Sequence, residues 1–338
     1  MGSAMETGER SEREILEEAA AYRRSAALLA GVETGLLPEL ARGDRTAAEL
    51  AAALGGDPRG IRTLANALVA LGWLRLEDGR YHLPRSTRPF FSRDHERSLL
   101  AMLAHNARLA RRWSELAASV LTGEPVPRSP RSEEEQAAFL AAMDDVARRG
   151  APLLWNRISL SGRRTLLDVG GGGGRYALEA VRLNPGLEAV VVDLPRSEAA
   201  FSRIVGNSAG ADRVRFHAAD ALEDPLPPAD AALVSSLIHI YDPGGIRRLA
   251  ANLARSLAPG ALLVLRDYFF EDPAHTAPLS TALFALNMLV NTEGGGCYTP
   301  GEVEELFAAA GFGDWERHRL DERTLALTAV LEGPPERR

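Results

Sequence analysis

The 338-residue sequence has a single cysteine, Cys297, so no internal disulfide can form and a reducing, cytoplasmic setting is expected. It has no apolar run long enough to span a bilayer, and its first twenty residues are charged where a signal core would be apolar, so no membrane partner is expected. A basic stripe is missing too. Lys and Arg number 39 against 46 Asp and Glu, a net charge of −7 with the signs interleaved, which argues against a nucleic-acid partner. His105, His217, His239 and His275 are scattered without ligand spacing on one element, so no metal is expected. What is there is globular: 46% apolar and 25% charged residues, enough for two domains with sizeable cores. Residues 1–14 and 333–338 are polar and expected to be disordered.

The chain reads as two halves. In the first, Thr46 with Glu49 three residues on forms a capping-box pattern ahead of a helix over 45–55. A second helix over 57–74 carries Ile61, Leu64, Leu68, Leu71 and Trp73 at helical period. Asp78-Gly79 then sits between two short runs, a hairpin signal that completes a helix–helix–wing pattern. A long amphipathic helix is expected over 98–123, followed by the Pro- and charge-rich stretch 124–136 and a helix holding Phe139, Met143 and Val146. From 161 on, apolar runs alternate with helical patterns, which predicts a parallel sheet with helices on both faces. Strands are expected at Thr165–Val169, Ala189–Asp193, Val214–Ala218, Ala231–Ser235 and Ala261–Tyr268, the last preceded by a Pro259-Gly260 turn, with two more at Trp315–Leu320 and Thr324–Leu331.

The most informative stretch is "TLLDVGGGGGRYALEAV", where five glycines, Gly170 to Gly174, follow a strand ending at Asp168 and Val169. A strand, a glycine loop and a helix make a nucleotide-binding layout. The dinucleotide fingerprint is incomplete, because its third glycine position holds Arg175 or Tyr176, and no Lys-Ser/Thr follows for a Walker-type loop. A carboxylate at the mouth of the loop repels a pyrophosphate and favours an ammonium group. Asp193, 23 positions beyond Gly170, ends the next strand where an acid commonly holds a ribose diol. A cationic, ribose-bearing ligand without phosphate is S-adenosylmethionine.

The segments "LLDVGGGGG", "VVVDLP", "HAADAL", "LIHIYD" and "LAPGALLVLRDYFFED" resemble the motif series of class I S-adenosylmethionine-dependent methyltransferases. With the first half included, residues 15–330 resemble the acetylserotonin and plant caffeate-type O-methyltransferase family and its bacterial natural-product relatives. The resemblance implies a Rossmann-like domain over 161–332 with a mostly parallel seven-stranded sheet. It also implies linker helices over 124–160 and a winged-helix domain over 12–123 that forms a homodimer.

By the same resemblance, the backbone at Gly170, Gly172 and Gly174 cradles the methionine part of the cofactor and Asp168 faces its amino group. Asp193, next to Leu194, takes the ribose hydroxyls. Asp220 binds the adenine amine, with Ala221 and Leu222 lining the ring. His239 stands where the family has its general base, but Ile240 and Tyr241 replace the Asp and Trp that follow it there. Of two glutamates that flank the histidine, the first matches Asp267 and the second matches Cys297, which is anionic only if its thiol ionises. A family lysine near the cofactor is Ser235. Phe139, Met143, Trp155, Phe284, Asn287 and Met288 are pocket-wall candidates for a flat, ring-bearing acceptor, with Asn287 as a polar anchor.

The implied reaction is methyl transfer to a hydroxyl of a small aromatic or polyketide-like acceptor, with S-adenosylhomocysteine as the by-product. Moving a proton from a phenol near pKa 10 to an imidazole near 6.5 is uphill by about 5 kcal/mol. Holding the nucleophile in line can supply about 7–11 kcal/mol, so even an imperfectly oriented base suffices. Carbon or nitrogen methylation, or a non-methylating use of the cofactor, is the alternative within the class. A winged-helix regulator is the alternative outside it, and only Arg59 and Arg62 would serve it, offset by Asp57.

Overall fold

The computed structural model describes residues 10–127, 129, 131–206 and 208–333. The disorder expected for 1–9 and 334–338 lies outside these. Residues 12–14, expected in the same tail, are instead the first turn of α1 (Glu12–Ala20). Ser11 and Glu14 cap each other's backbone there, and two orphan N–H groups are satisfied by residues that composition alone reads as solvated.

Two compact units divide between Leu109 and Ala110. The first contains α1, α2 (Tyr22–Glu33), α3 (Leu36–Arg42), β1 (Arg45–Thr46), α4 (Ala47–Leu54), α5 (Pro58–Ala70), β2 (Arg75–Glu77), β3 (Arg80–His82) and α6 (Arg88–Phe91). Thr46 and Glu49 form the expected capping box on α4, and Asp57, read above only as a charge, caps α5 through the Gly60 amide. The hairpin turns on Asp78 and Gly79, both at positive φ, as a type I′ turn requires. The two expected wing strands are joined by β1, giving the order β1-β3-β2. β1 has two residues and so shows no apolar alternation from which it could be read.

The expected long helix over 98–123 is two helices, α7 (Leu100–Trp113) and α8 (Leu116–Thr122), and the unit division falls inside α7. The end of α7 is held within the second unit. Arg112 donates to the Asn291 side chain at 2.6 Å and to the carbonyls of Val126 and Val290, while Trp113 Nε1 donates to Asn287 Oδ1 at 3.0 Å. These side-chain bonds, invisible to periodicity, put the compact boundary before the expected residue 123.

In the second unit α9 (Glu133–Trp155) starts inside the charged stretch 124–136, because Ser132 and Glu135 make a third capping box. β4 (Thr165–Val169), α10 (Arg175–Leu183), β5 (Glu188–Asp193), α11 (Glu198–Val205), β6 (Val214–Ala218), β7 (Ala229–Ser235), α12 (Pro243–Ser256) and β8 (Leu257–Asp267) alternate as the pattern predicts. α13 (Leu279–Asn291), α14 (Pro300–Ala308), β9 (Phe312–Arg319) and β10 (Leu325–Leu331) follow. The seven-stranded sheet runs β6-β5-β4-β7-β8-β10-β9, and only β10 pairs antiparallel with its neighbours. The inner strands, such as β4, β5 and β7, are near-continuous apolar runs because they are buried on both faces, whereas the edge strands β6 and β9 carry charged residues. Leu167 and Val169 belong to one buried cluster with α12, and Leu166 belongs to the other with α10. Each such burial contributes about 1.5–3 kcal/mol. Pro259-Gly260 does not precede the last parallel strand. It lies inside β8, where the pairing jumps from Ala229–Leu257 to Ala231–Leu262, so the sequence signal for a turn is a bulge.

Candidate active site

The C-terminal tips of β5, β4, β7 and β8 lie side by side and deliver Asp193, Asp168, Ser235 and Asp267 to one edge. Between β4 and α10 the glycines turn sharply: φ is +71° at Gly170, +55° at Gly172 and +76° at Gly174. L-residues avoid that region, which explains three of the five glycines by backbone shape. Most of the remaining crowding comes from the protein. A Cβ at Gly171 would lie 2.6 Å from the Asp168 carboxyl carbon, and one at Gly173 would lie 2.3 Å from Ile204 Cδ1. At Gly172 a Cβ would meet only Leu140 of α9, at 3.6 Å.

Asp168 is not at the mouth of the loop, where the sequence reading put it. It is 1% exposed and lies beneath the loop, its Oδ2 accepting the Ala177 amide at 3.2 Å and its Oδ1 meeting no protein partner. The glycines let the chain fold over it. Burial, with a smaller push from the Asp193 charge, raises its carboxyl to about 7. Asp193 anchors the loop from the neighbouring strand. Its Oδ2 accepts the Gly172 amide at 2.8 Å, and its Oδ1 accepts the Leu194 amide and the Ser197 hydroxyl at 2.7 and 2.8 Å. Asp220 shapes the turn after β6 by accepting the Leu222 amide at 2.9 Å. Sequence reading missed Asn252 of α12, whose buried amide donates to the carbonyls of Ala221 and Asp224, both at 2.8 Å, and so fixes that turn. An asparagine inside an amphipathic helix carries no local signal for such a role.

His239 sits in a short 3₁₀ turn (238–240) after β7 and is buried. Its Nδ1 is 2.7 Å from Asp267 Oδ1, which also accepts the Tyr268 amide at 2.9 Å. With Asp267 as carboxylate, Nδ1 carries the proton and Nε2 is left as the acceptor nitrogen. The Phe284 ring stands edge-on to the imidazole, with centroids 4.9 Å apart, and packs on Tyr268 at 4.4 Å. Cys297 is buried near Asp267, and burial, reinforced by that carboxylate, pushes its thiol up to about 12, so it stays neutral at physiological pH. It does not act as an anionic substitute for a glutamate.

The wall candidates separate. Phe139 and Met143 are half-buried on α9, in the same helix as Leu140 over the loop, with the Arg131 guanidinium 4.1 Å from the Phe139 ring. Trp155 is core: it is buried in the cluster between α9 and α10 and donates Nε1 to the Tyr176 carbonyl at 2.9 Å. Met288 is buried as well. Asn287 already accepts from Trp113 and Asn291, so its role as an anchor falls to its remaining amide donors.

The S-adenosylmethionine implied by the sequence fits this edge. Three carboxylates, Asp168, Asp193 and Asp220, end or follow adjacent strands. One of them keeps a buried oxygen without a protein partner, and Gly172 leaves its backbone open. Arg175, the cation beside the loop, is turned to Asp144 in a two-point ion pair at 2.8 and 3.0 Å, so it offers little to a phosphate. Among the described residues no group of three His, Cys, Asp or Glu side chains could hold a metal ion.

A family model for an O-methyltransferase domain matches residues 121–313. The tetracenomycin polyketide synthesis 8-O-methyltransferase of Streptomyces glaucescens is 32% identical over 317 residues, covering 89% of this chain and 91% of its own. A 3-hydroxy-5-methyl-1-naphthoate 3-O-methyltransferase of Streptomyces sahachiroi is 32% identical over 84% of each chain. Human N-acetylserotonin methyltransferase, solved with S-adenosylmethionine, superposes with a TM-score of 0.87 at 27% identity, covering 98% of this chain and all of its own. A sheet edge that an adenosyl amino acid fits, a buried His–Asp pair and these likenesses agree: the chain belongs to the S-adenosylmethionine-dependent O-methyltransferase family.

Proposed function

We propose that the protein methylates a phenolic hydroxyl of a small aromatic, polyketide-like acceptor, with His239 as general base and Asp267 as the residue that orients it. The observation that carries this reading is the 2.7 Å contact between His239 Nδ1 and Asp267 Oδ1 in a buried setting. It fixes the tautomer, so that Nε2 accepts the acceptor's hydroxyl proton as the oxygen becomes nucleophilic. The bound cofactor supplies an electrophilic methyl group on a sulfonium. Gly170, Gly172 and Gly174 with Asp168 would hold its amino-acid end, Asp193 its ribose, and Asp220 with Ala221 its adenine. Phe284 excludes water from one side of the imidazole and offers a flat wall to a ring. Phe139 and Met143 would line the opposite part of the pocket. The two Streptomyces relatives, named for a polyketide and a naphthoate, support the aromatic acceptor.

The test is turnover of a phenolic panel, followed by S-adenosylhomocysteine release and by the mass gained at each product atom. His239→Ala is expected to lose about 10²–10⁴-fold in kcat. Equal rates for variant and wild type, or a methyl on carbon or nitrogen, would sink the reading.

A homodimer formed through residues 12–123, in a cytoplasmic setting, belongs to the same proposal. It is supported by α1, which buries no residue and leaves Ile15 and Leu16 at 55% and 62% exposure. A monomer mass in equilibrium sedimentation would overturn it.

A further inference from the structure

The turn that carries His239 is held from outside by a glycine-rich strap, residues 294–298, that no part of the proposed chemistry uses. Gly296 donates its amide to the His239 carbonyl at 2.9 Å. Tyr298 donates its hydroxyl to the Tyr241 carbonyl at 2.6 Å. Both main-chain carbonyls that flank the end of the turn are therefore bound by one five-residue segment. The approach is tight: a Cβ at Gly295 would lie 2.6 Å from the His239 carbonyl oxygen and 2.3 Å from Thr292 Oγ1, so that position excludes any side chain. The strap is itself fixed to the strand that bears the base's partner. Phe269 and Tyr298 form a β-bridge, Phe270 donates its amide to the Tyr298 carbonyl at 3.0 Å, and these two phenylalanines lie two and three residues beyond Asp267. Between the two anchoring residues, Cys297 is buried near Asp267.

One short segment thus touches the base's turn and the strand end that carries Asp267. A 2.7 Å hydrogen bond depends on both being held to a few tenths of an ångström. The turn is three residues of 3₁₀ helix. Its entry is tied to the Asp267 strand at Ser236, two residues before it at φ +53°. Ser236 donates its amide to the Arg266 carbonyl at 2.8 Å and accepts from the Arg266 guanidinium at 2.7 Å; the strap holds the turn's exit.

We propose that Tyr298 is a positioning residue for the methyl-transfer reaction: its hydroxyl, with the Gly295–Gly296 backbone, clamps the His239 turn against the Asp267 strand and so sets the base's aim. The inference rests on the reading of His239 as the base, and the experiment separates the two.

Tyr298→Phe removes one oxygen and keeps the ring. Its kcat is measured on two acceptors of the same shape, a plain phenol and a nitro-substituted phenol that is already ionised at neutral pH and needs no base. S-adenosylhomocysteine affinity is measured alongside by calorimetry. The expected result is a three- to tenfold fall in kcat on the plain phenol, little change on the nitrophenol, and cofactor-product affinity within twofold of wild type. Gly295→Ala, which pushes the same carbonyl, is expected to show the same acceptor-selective loss. An equal loss on both phenols means a general structural defect, and no loss on either means that the hydroxyl does not aim the base. Each overturns the proposal. If His239→Ala itself shows no preference for the ionised acceptor, the base reading fails. If His239→Ala shows that preference and Tyr298→Phe does not, only the clamp fails.

Discussion

Asp168 lies under the loop that it precedes, its Oδ2 accepting the amide of Ala177, nine residues along, at 3.2 Å. That one bond, in a site 1% exposed, leaves the carboxylate poorly compensated, and its nearest charged influence is another acid, Asp193. The group is raised from an ordinary 3.8 to about 7. Between those values the folded protein holds a proton that the unfolded chain has released. Stability of the cofactor-free protein is therefore expected to fall as pH rises from about 4 to 7, by on the order of 4 kcal/mol, and to stay level above 7. A ligand's ammonium group has the opposite preference, so affinity for S-adenosylhomocysteine, whose amino group would face Asp168, should strengthen toward pH 7 and then plateau. Thermal melts and calorimetry across pH 5–8.5 check both trends. An unchanged pH slope in Asp168→Asn would remove this residue from the account.

Asp267→Asn keeps the shape of the His239 contact but removes its charge. The amide oxygen stays where the Tyr268 N–H donates, so Nδ1 keeps its proton but loses the negative charge that would stabilise the imidazolium formed as Nε2 takes the acceptor's proton. The expected loss in kcat on a plain phenol is at least about 100-fold, with cofactor affinity little changed. Asp267→Glu should recover part of it. A fall of less than threefold in Asp267→Asn, by steady-state kinetics, would remove the Asp267 charge from the mechanism.

Cys297 should behave as an inert, neutral thiol. Burial first, and Asp267 second, push it up to about 12. At pH 8 it should react with iodoacetamide far more slowly in the folded protein than in 6 M guanidinium, by mass spectrometry of the alkylated peptide. Cys297→Ala should keep kcat within about threefold, because no thiolate is lost, and should cost about 1 kcal/mol of stability for the small void. Rapid labelling of the folded protein would show that the thiol ionises.

Asn252 is expected to matter for the cofactor although no part of it reaches that site. Its amide donates to the carbonyls of Ala221, in a buried setting, and of Asp224, in a half-buried one, and Asn252→Ala leaves both without that donor. The cost is about 1–3 kcal/mol of stability, with a several-fold weaker Kd for S-adenosylhomocysteine as the 219–224 turn loosens. Differential scanning calorimetry and titration of the variant give both numbers. Wild-type affinity at a lowered Tm would confine Asn252 to stability.

Much of this protein was legible along the chain. Mainly apolar runs buried on both faces define β4, β5 and β7, and positive φ at Gly170, Gly172 and Gly174 is carried by the residue type that best tolerates it. The position of Asp193 at the tip of β5 needed nothing beyond counting from the glycines. Local rules misled where one signal serves two structures. Pro259-Gly260 marks a turn in most chains and a bulge in β8 here, and a two-residue strand such as β1 has no pattern at all.

By itself, then, the sequence determined the order of elements and the glycine loop with its flanking acids at one sheet edge, because those depend on backbone conformation and on residues near one another in the chain. The tertiary structure decided which polar atoms of separate elements meet. It sank Asp168 beneath the loop, closed the contact between Asp267 and His239 across 28 residues, and set Gly296 and Tyr298 behind the His239 turn. Such pairings come from through-space packing of side chains on separate elements, and no periodicity in the chain encodes them.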